Sequence, residues 1–229
     1  MKDIFLVDAD DTILDFHTAS GLALKSAFEE FGGGWKEEYA AEYRVINNGL
    51  WECLERKEIT RTQLMETRFT VFLRHLQLYD ADDKAFNRHY IQYLSTHPIY
   101  LDGAEAFLEA LRKRGRVFIV TNGTSYIQKS RFDIAKLWEK VDGVFISETA
   151  RADKPAKAYT DYVISHIERF ERERAVWIGD SLSADIQAAN DADITSIWFN
   201  LHGKPLRGQA IPTYTATNFQ QALEIIKGL

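Results

Sequence analysis

The sequence predicts an α/β protein: a parallel β-sheet covered by helices on both faces, interrupted after its first strand by a long helical insert. Three observations carry this. The chain opens on a short, uninterrupted apolar run, Ile4-Phe5-Leu6-Val7, of the kind that forms a strand buried on both faces. From about Phe16 to His97 the apolar residues recur at three- and four-residue spacing with no convincing strand. After His97-Pro98 short apolar runs rich in β-branched and aromatic residues alternate with helical stretches, the pattern of a parallel sheet.

In the insert, Leu22-Ala23-Leu24-Lys25-Ser26-Ala27-Phe28 and the segment from Leu64 to Leu78 carry helical periodicity. Gly32-Gly33-Gly34 is expected to break the first helix and the stretch from Asp80 to Asp83 a later one. Beyond the insert, Asp102 reads as a helix N-cap with Glu105 as its capping-box partner, and Gly115 ends that helix. The runs Val117-Phe118-Ile119-Val120, Val144-Phe145-Ile146, Ala175-Val176-Trp177-Ile178 and Ile194-Thr195-Ser196-Ile197-Trp198-Phe199 follow as strands. The strand at residues 4–7 must join the same sheet across the insert.

With 229 residues, 45% of them hydrophobic, the chain can bury a substantial core as one domain or two. A formal net charge of −6 argues against a nucleic-acid polymer as partner, because neutralising a phosphate backbone requires a basic field. The apolar stretches are far shorter than the roughly 20 residues that span a bilayer, so no membrane partner is expected. Met1-Lys2-Asp3 leads directly into a strand rather than a signal sequence, and the single Cys53 forms no internal disulfide. A cytoplasmic location is expected.

The chemistry is predicted at the strand ends, where ligands gather in open parallel sheets. The first strand delivers Asp8-Ala9-Asp10-Asp11-Thr12. Carboxylates held together call for a cation, a shared proton or water, and a magnesium-assisted reaction is the natural suspicion; a turn and helix cap would use the same residue types. Val120 runs into Thr121-Asn122-Gly123-Thr124-Ser125 at a helix start, where hydroxyls and backbone amides suit a phosphate dianion. Lys154-Pro155 precedes another helix and offers a fixed positive charge. Ile178 runs into Gly179-Asp180-Ser181-Leu182-Ser183-Ala184-Asp185, which places two more carboxylates at a strand end and on the first turn of a helix.

In this order the four clusters resemble those of the haloacid-dehalogenase-like superfamily, whose first motif reads Asp-x-Asp-x-Thr and whose fourth reads Gly-Asp followed by a second Asp. The resemblance covers essentially the whole chain. It implies a three-layer, Rossmann-like core of residues 1–15 and 98–229 with the insert, residues 16–97, as a helical cap domain. By the same resemblance Asp8 is the nucleophile that attacks phosphorus and Asp10 the acid/base. Thr121 holds a phosphoryl oxygen beside the Asn122 and Gly123 amides, and Lys154 bridges Asp8 and the phosphate. The implied cofactor is Mg²⁺ on Asp8, the backbone carbonyl of Asp10, and Asp180, with Asp185 supporting through water or Lys154.

Asp8-Ala9-Asp10-Asp11-Thr12, Ile46-Asn47-Asn48-Gly49-Leu50-Trp51 and Ile197-Trp198-Phe199-Asn200 are similar to the superfamily's bacterial pyrimidine nucleotidase branch. That implies a phosphomonoesterase acting on a small phosphorylated metabolite, a nucleoside monophosphate. Asn47, Asn48 and Trp51 are the candidates for base or sugar contacts, and Phe16 and His17 stand at the first hinge; helix packing and turn chemistry account for the same cap residues. Two positions depart from the family's pattern: Asp153 stands where a small residue usually precedes the lysine, and Asp193 where glycine is usual. A sugar-phosphate phosphatase or mutase of the same fold would keep all four motifs. A dehalogenase would not need Asp10, and a non-catalytic binding protein would be expected to have lost one of Asp8, Asp10, Lys154 or Asp180.

Overall fold

The structure of the chain, a computed structural model, describes residues 1–32 and 34–229. It divides into two compact units, Met1–Asp15 with Ile99–Leu229, and Phe16–Pro98.

In the first unit β1 (Ile4–Val7) is fully buried. Its other strands and α-helices are α5 (Ala104–Arg112), β2 (Arg116–Thr121), α6 (Ser125–Ile134), β3 (Gly143–Ile146), α7 (Ser147–Ala150), α8 (Lys157–Ser165), β4 (Ala175–Gly179), α9 (Gln187–Asp191), β5 (Thr195–Phe199), β6 (Tyr214–Ala216) and α10 (Phe219–Lys227), the first four helices of the chain lying in the other unit. The strands form one sheet in the order β3-β2-β1-β4-β5-β6, and every pairing is parallel. This is the doubly wound order, in which the strand sequence reverses direction between β1 and β4 and opens a crevice at their carboxyl ends. Val7 pairs with Ile119 on one side and Ile178 on the other, so the residues that follow β1, β2 and β4 emerge side by side.

Alternate side chains of a strand point to opposite faces, and the core divides accordingly. Phe5, Val7, Val117, Ile119, Val176 and Ile178 pack with Phe107, Leu108 and Leu111 of α5 and Ala222 and Ile226 of α10. Ile4, Leu6, Phe118, Val120 and Trp177 pack with Tyr159 and Val163 of α8 and Ala188 and Ala189 of α9. Three layers result. The sequence reading missed β6, a three-residue edge strand with two exposed residues. It also misplaced one cap: the residue before α5 is Gly103, in the left-handed region (φ 84°) with no side-chain cap. The chain turns there by a bond from the Ala104 amide to the Leu101 carbonyl, and Glu105 pairs with Lys140 at 2.9 Å. At Asp193 the backbone is left-handed (φ 53°), a conformation that Asp tolerates where glycine is usual.

The second unit is helical: α1 (Phe16–Phe31), α2 (Glu38–Glu55), α3 (Arg61–His75) and α4 (Asp83–Thr96). Its interior is aromatic, with Tyr43 stacked on Phe69 at 5.1 Å between ring centroids and Tyr90 4.9 Å from Phe69. Thr60 and Gln63 form a capping box at the start of α3, and Asp82 caps α4. Gly32 and Gly34 take left-handed φ values of 69° and 66° just past the end of α1; Gly33, the middle of that expected break, lies outside the described residues. Among the described residues no helix is long and apolar enough to cross a membrane.

Candidate active site

Asp8 follows β1 directly, and its amide still donates to the Ile178 carbonyl of β4 at 2.8 Å, so the sheet ladder fixes its backbone. Lys154, 2% exposed, reaches it from the loop before α8: Nζ donates to Asp8 Oδ1 at 2.5 Å, Asp185 Oδ1 at 2.6 Å and the Val120 carbonyl at 2.9 Å. All three donors of the ammonium are thereby used. Asn122 brackets the lysine backbone, donating from Nδ2 to the Lys154 carbonyl and accepting from the Lys154 amide at Oδ1, at 2.9 and 2.8 Å.

Asp185 lies on a single π-helical turn, Leu182–Ile186, rather than on an ordinary first turn. The amides of both Asp185 and Ile186 converge on the Ser181 carbonyl, which widens the turn, as is frequent at functional sites. Its carboxylate is also held by Trp177 Nε1 at 3.2 Å and by the Ser181 amide. The fit depends on Gly179, because a Cβ there would sit 2.2 Å from Asp185 Cγ. Asp180 accepts from Lys204 Nζ at 2.9 Å, and its carbonyl accepts from Trp198 Nε1 at 2.9 Å. Asn200 holds the Lys204 backbone through both its amide and its carbonyl.

Asp10 faces differently. Arg131 Nη1 stands 2.5 Å from its Oδ1 and Gln128 Nε2 donates to its Oδ2 at 2.8 Å. Gln128 Nε2 also donates to Thr121 Oγ1, which accepts in addition from the Gly123 amide at 3.0 Å. Gln128 passes so close to Gly123 that a Cβ there would lie 2.5 Å from its side chain. The sequence reading missed both Gln128 and Arg131. Their signal was positional: they alternate with the apolar Ile127 and Phe132 on the buried stripe of α6.

The electrostatics follow from this geometry. Burial pushes the Asp8 carboxyl well above its ordinary value; Lys154 opposes the rise, while Asp185, Asp180 and Asp10 add to it. Burial works against the Lys154 charge, but Asp185 and Asp8 outweigh it and hold the ammonium above its usual range. Asp180 is pushed up to about 6 by loss of water, against the pull of Lys204 and with repulsion from Asp11 and Asp185. Carboxylate oxygens of Asp8, Asp180 and Asp185 lie within 4.8 Å of one another. Such an all-oxygen, mutually repelling set fits a hard divalent cation. The Asp10 carboxylate is not one of that set.

The structure thus brings Asp8, Asp10, Thr121, Asn122, Gly123, Lys154, Asp180 and Asp185 to the ends of β1, β2 and β4 and the loops beside them. Asn47, Asn48 and Trp51 belong to α2 of the helical unit. Asn47 is buried and accepts from the Tyr43 hydroxyl at 3.4 Å, Asn48 is exposed, and the Trp51 ring lies under the Arg61 guanidinium at 5.4 Å. Asn47 and Trp51, four residues apart, share one face of that helix.

A strand end bearing a buried carboxylate, a buried lysine across from it and a cluster of carboxylates with room for a cation together fit the active site of a hydrolase. Residues 2–193 match the family model of the haloacid dehalogenase-like hydrolases. The chain is 35% identical over 221 residues to the HAD-hydrolase YfnB of Bacillus subtilis, covering 96% of this chain and 94% of that protein. A crystal structure of YfnB bound to magnesium, described as revealing interdomain movement, superposes with a TM-score of 0.92 at 34% identity, covering 98% of each chain. Identity is 34% to the pyrimidine 5'-nucleotidase PynA of Streptococcus pneumoniae, covering 96% of this chain and 93% of that one. It is 26% to the pyrimidine 5'-nucleotidase YjjG of Escherichia coli, covering 98% and 97%. The chain belongs to the haloacid dehalogenase-like hydrolases and is an enzyme of their phosphatase kind.

Proposed function

We propose that this enzyme hydrolyses phosphomonoesters through an aspartyl-phosphate on Asp8, with pyrimidine nucleoside 5'-monophosphates as preferred substrates and the cytoplasm as its location. The observation that carries the chemistry is the buried Asp8–Lys154 contact of 2.5 Å beside a second carboxylate two residues on. Lys154 opposes the burial that favours the neutral acid at Asp8, and an anion is what attacks phosphorus. As the Asp8–phosphorus bond forms and the ester bond breaks, Asp10 gives its proton to the leaving alkoxide. It then takes a proton from the water that attacks phosphorus, which breaks the Asp8–phosphorus bond, releases phosphate and restores the Asp8 carboxylate and the protonated Asp10.

Thr121 Oγ1 already accepts two hydrogen bonds, which leaves its own O–H to donate to a phosphoryl oxygen. Asn122 and Gly123 offer backbone amides beside it, and Asn122 also fixes Lys154. The carboxylates of Asp8 and Asp180, the carbonyl of Asp10 and the supporting Asp185 are the ligands we assign to Mg²⁺. When bound, it offsets the repulsion between Asp8 and the incoming phosphate dianion.

Residues 16–97 we assign to a cap that selects the leaving group, with Asn47, Asn48 and Trp51 reading the base. An asparagine amide offers both a donor and an acceptor to a pyrimidine edge, and tryptophan offers a stacking face. Similarity over nearly the whole length to two pyrimidine 5'-nucleotidases supports that choice. The test is phosphate release from a panel of nucleotides and sugar phosphates, with magnesium and with chelator, for wild type and Asp8→Asn. Magnesium-dependent release led by pyrimidine nucleotides and abolished in the variant is expected. Near wild-type turnover by Asp8→Asn would overturn the mechanism, and sugar phosphates outcompeting every nucleotide would overturn the substrate assignment.

A further inference from the structure

Arg131 has no part in the chemistry assigned to Asp8, yet it is 1% exposed and aimed at the active site. Its Nη1 serves two acceptors, Asp10 Oδ1 at 2.5 Å and Gln128 Oε1 at 2.9 Å, while Nε and Nη2 are buried with no partner among the described residues. A guanidinium placed for stability would answer its desolvation with a bidentate pair. Here two nitrogens stand idle, and the paired carboxylate keeps access to solvent. Unsatisfied buried donors of this kind mark a position retained for something other than stability.

Arg131 does fix Asp10. Gln128, one helical turn earlier on α6 and equally buried, donates to the other Asp10 oxygen at 2.8 Å and to Thr121 Oγ1 at 2.9 Å. With Nη1 on Oε1 and Nε2 on two acceptors, the Gln128 amide has one possible orientation. Both Asp10 oxygens are therefore held from one face of one helix, and the same amide ties Asp10 to Thr121.

We propose that Arg131, acting with Gln128, is a positioning residue that orients Asp10 for proton transfer; the inference rests on the phosphomonoesterase reading. Two donors face the carboxylate, one on each oxygen, so its orientation is fixed from α6.

The experiment exploits leaving-group chemistry. An alkyl phosphate such as a nucleoside 5'-monophosphate requires a proton on its departing oxygen, whereas 4-nitrophenyl phosphate leaves as a stable anion. kcat/KM, which reads the steps up to formation of the aspartyl-phosphate, is measured on both substrates for wild type, Arg131→Met, Arg131→Lys, Gln128→Met, Asp10→Asn and the Asp10→Asn/Arg131→Met double variant. Arg131→Met should lose about 10²-fold on the alkyl phosphate and less than about threefold on the aryl phosphate, with partial recovery in Arg131→Lys. The double variant should be no worse than Asp10→Asn alone, because both substitutions remove one function. If Arg131→Met does not fold, Arg131→Lys must show the same substrate-dependent loss at smaller size. Equal loss on both substrates, or losses that multiply in the double variant, overturns the positioning role while leaving the phosphatase reading intact. A wild type that cleaves neither substrate with magnesium overturns both.

Discussion

Replacing Lys154 by Met should destabilise the protein in a way that depends steeply on pH. The substitution removes a 2%-exposed ammonium that pairs with Asp8 at 2.5 Å and Asp185 at 2.6 Å, and Met fills much of the same volume, so the effect is one of charge rather than of a cavity. Breaking a buried pair by deleting one partner costs about 3–5 kcal/mol. Proton uptake by Asp8 sets a ceiling on its share of that cost. Asp8 is already held well above 3.8; without the lysine it rises further and takes up a proton in the folded state. Charging an unfolded carboxyl from 3.8 to pH 7 spans about 3 units, or about 4 kcal/mol. At pH 5 the same difference is about 1 unit and the ceiling falls below about 2 kcal/mol. A carboxyl whose folded value is raised loses stability as pH climbs above its unfolded value, so the gap to wild type must widen from pH 5 to pH 7. Urea unfolding with chelator present, followed by tryptophan fluorescence at both pH values, measures it. A deficit under about 1 kcal/mol at pH 7, or an equal deficit at pH 5, would refute the assignment of Lys154 as the counter-charge of this cluster.

Magnesium should raise the melting temperature, by the equivalent of about 2.7 kcal/mol at a hundredfold excess over its dissociation constant. Because Asp180 at about 6 must shed its proton to bind metal, calorimetric affinity should be weaker at pH 5.5 than at pH 7.5 and lost in Asp180→Ala; equal affinity at the two pH values counts against the site. Lys204→Met should tighten magnesium binding by freeing Asp180, and unchanged affinity would exclude competition. Gly179→Ala, which places a Cβ 2.2 Å from Asp185 Cγ, should lower the melting temperature by more than about 5 °C, and a wild-type melt would show that Asp185 has room to move. Asn47→Ala and Trp51→Ala should raise KM for pyrimidine nucleotides and spare an aryl phosphate; equal losses on both would remove these residues from substrate recognition.

How much of this was legible in the sequence depends on how far each feature is determined locally. Four consecutive apolar residues before Asp8 have one comfortable environment, a strand covered on both faces, and the structure gives Ile4–Val7 that burial. β6 lacked any such signal because three residues at a sheet edge, two of them exposed, need no apolar run. Trp177 and Trp198 belong to apolar strand runs, Trp198 also to a segment similar to the nucleotidase branch, and both are buried. Their indole N–H groups nevertheless brace the Asp185 carboxylate and the Asp180 carbonyl, a role that requires knowing which strand lies beside which. Gln128 and Arg131 were passed over for the same reason. Their residue types suit a solvent-facing helix, and only the packing of α6 turns them toward Asp10 and Thr121.

The distribution of cations over the four carboxylates says where each can be exchanged. Asp8 and Asp185 share Lys154, Asp10 has Arg131, and Asp180 has Lys204. Lys154 and Arg131 are almost wholly buried, whereas the Lys204 side chain is 44% exposed. Withdrawing either buried cation strands a charge away from water, which is expensive; withdrawing Lys204 returns an ammonium to solvent, where an exposed pair is worth little. Asp180 is therefore the carboxylate that can change partners at low cost, and its value near 6 reflects how weakly Lys204 compensates for lost hydration and the repulsion of Asp11 and Asp185. A divalent cation entering the cluster gains most there. The buried pair at Asp8 and the clamp on Asp10 can stay in place while it does, so the residues proposed as nucleophile and proton carrier need not be rebuilt each time the cluster takes up a cation.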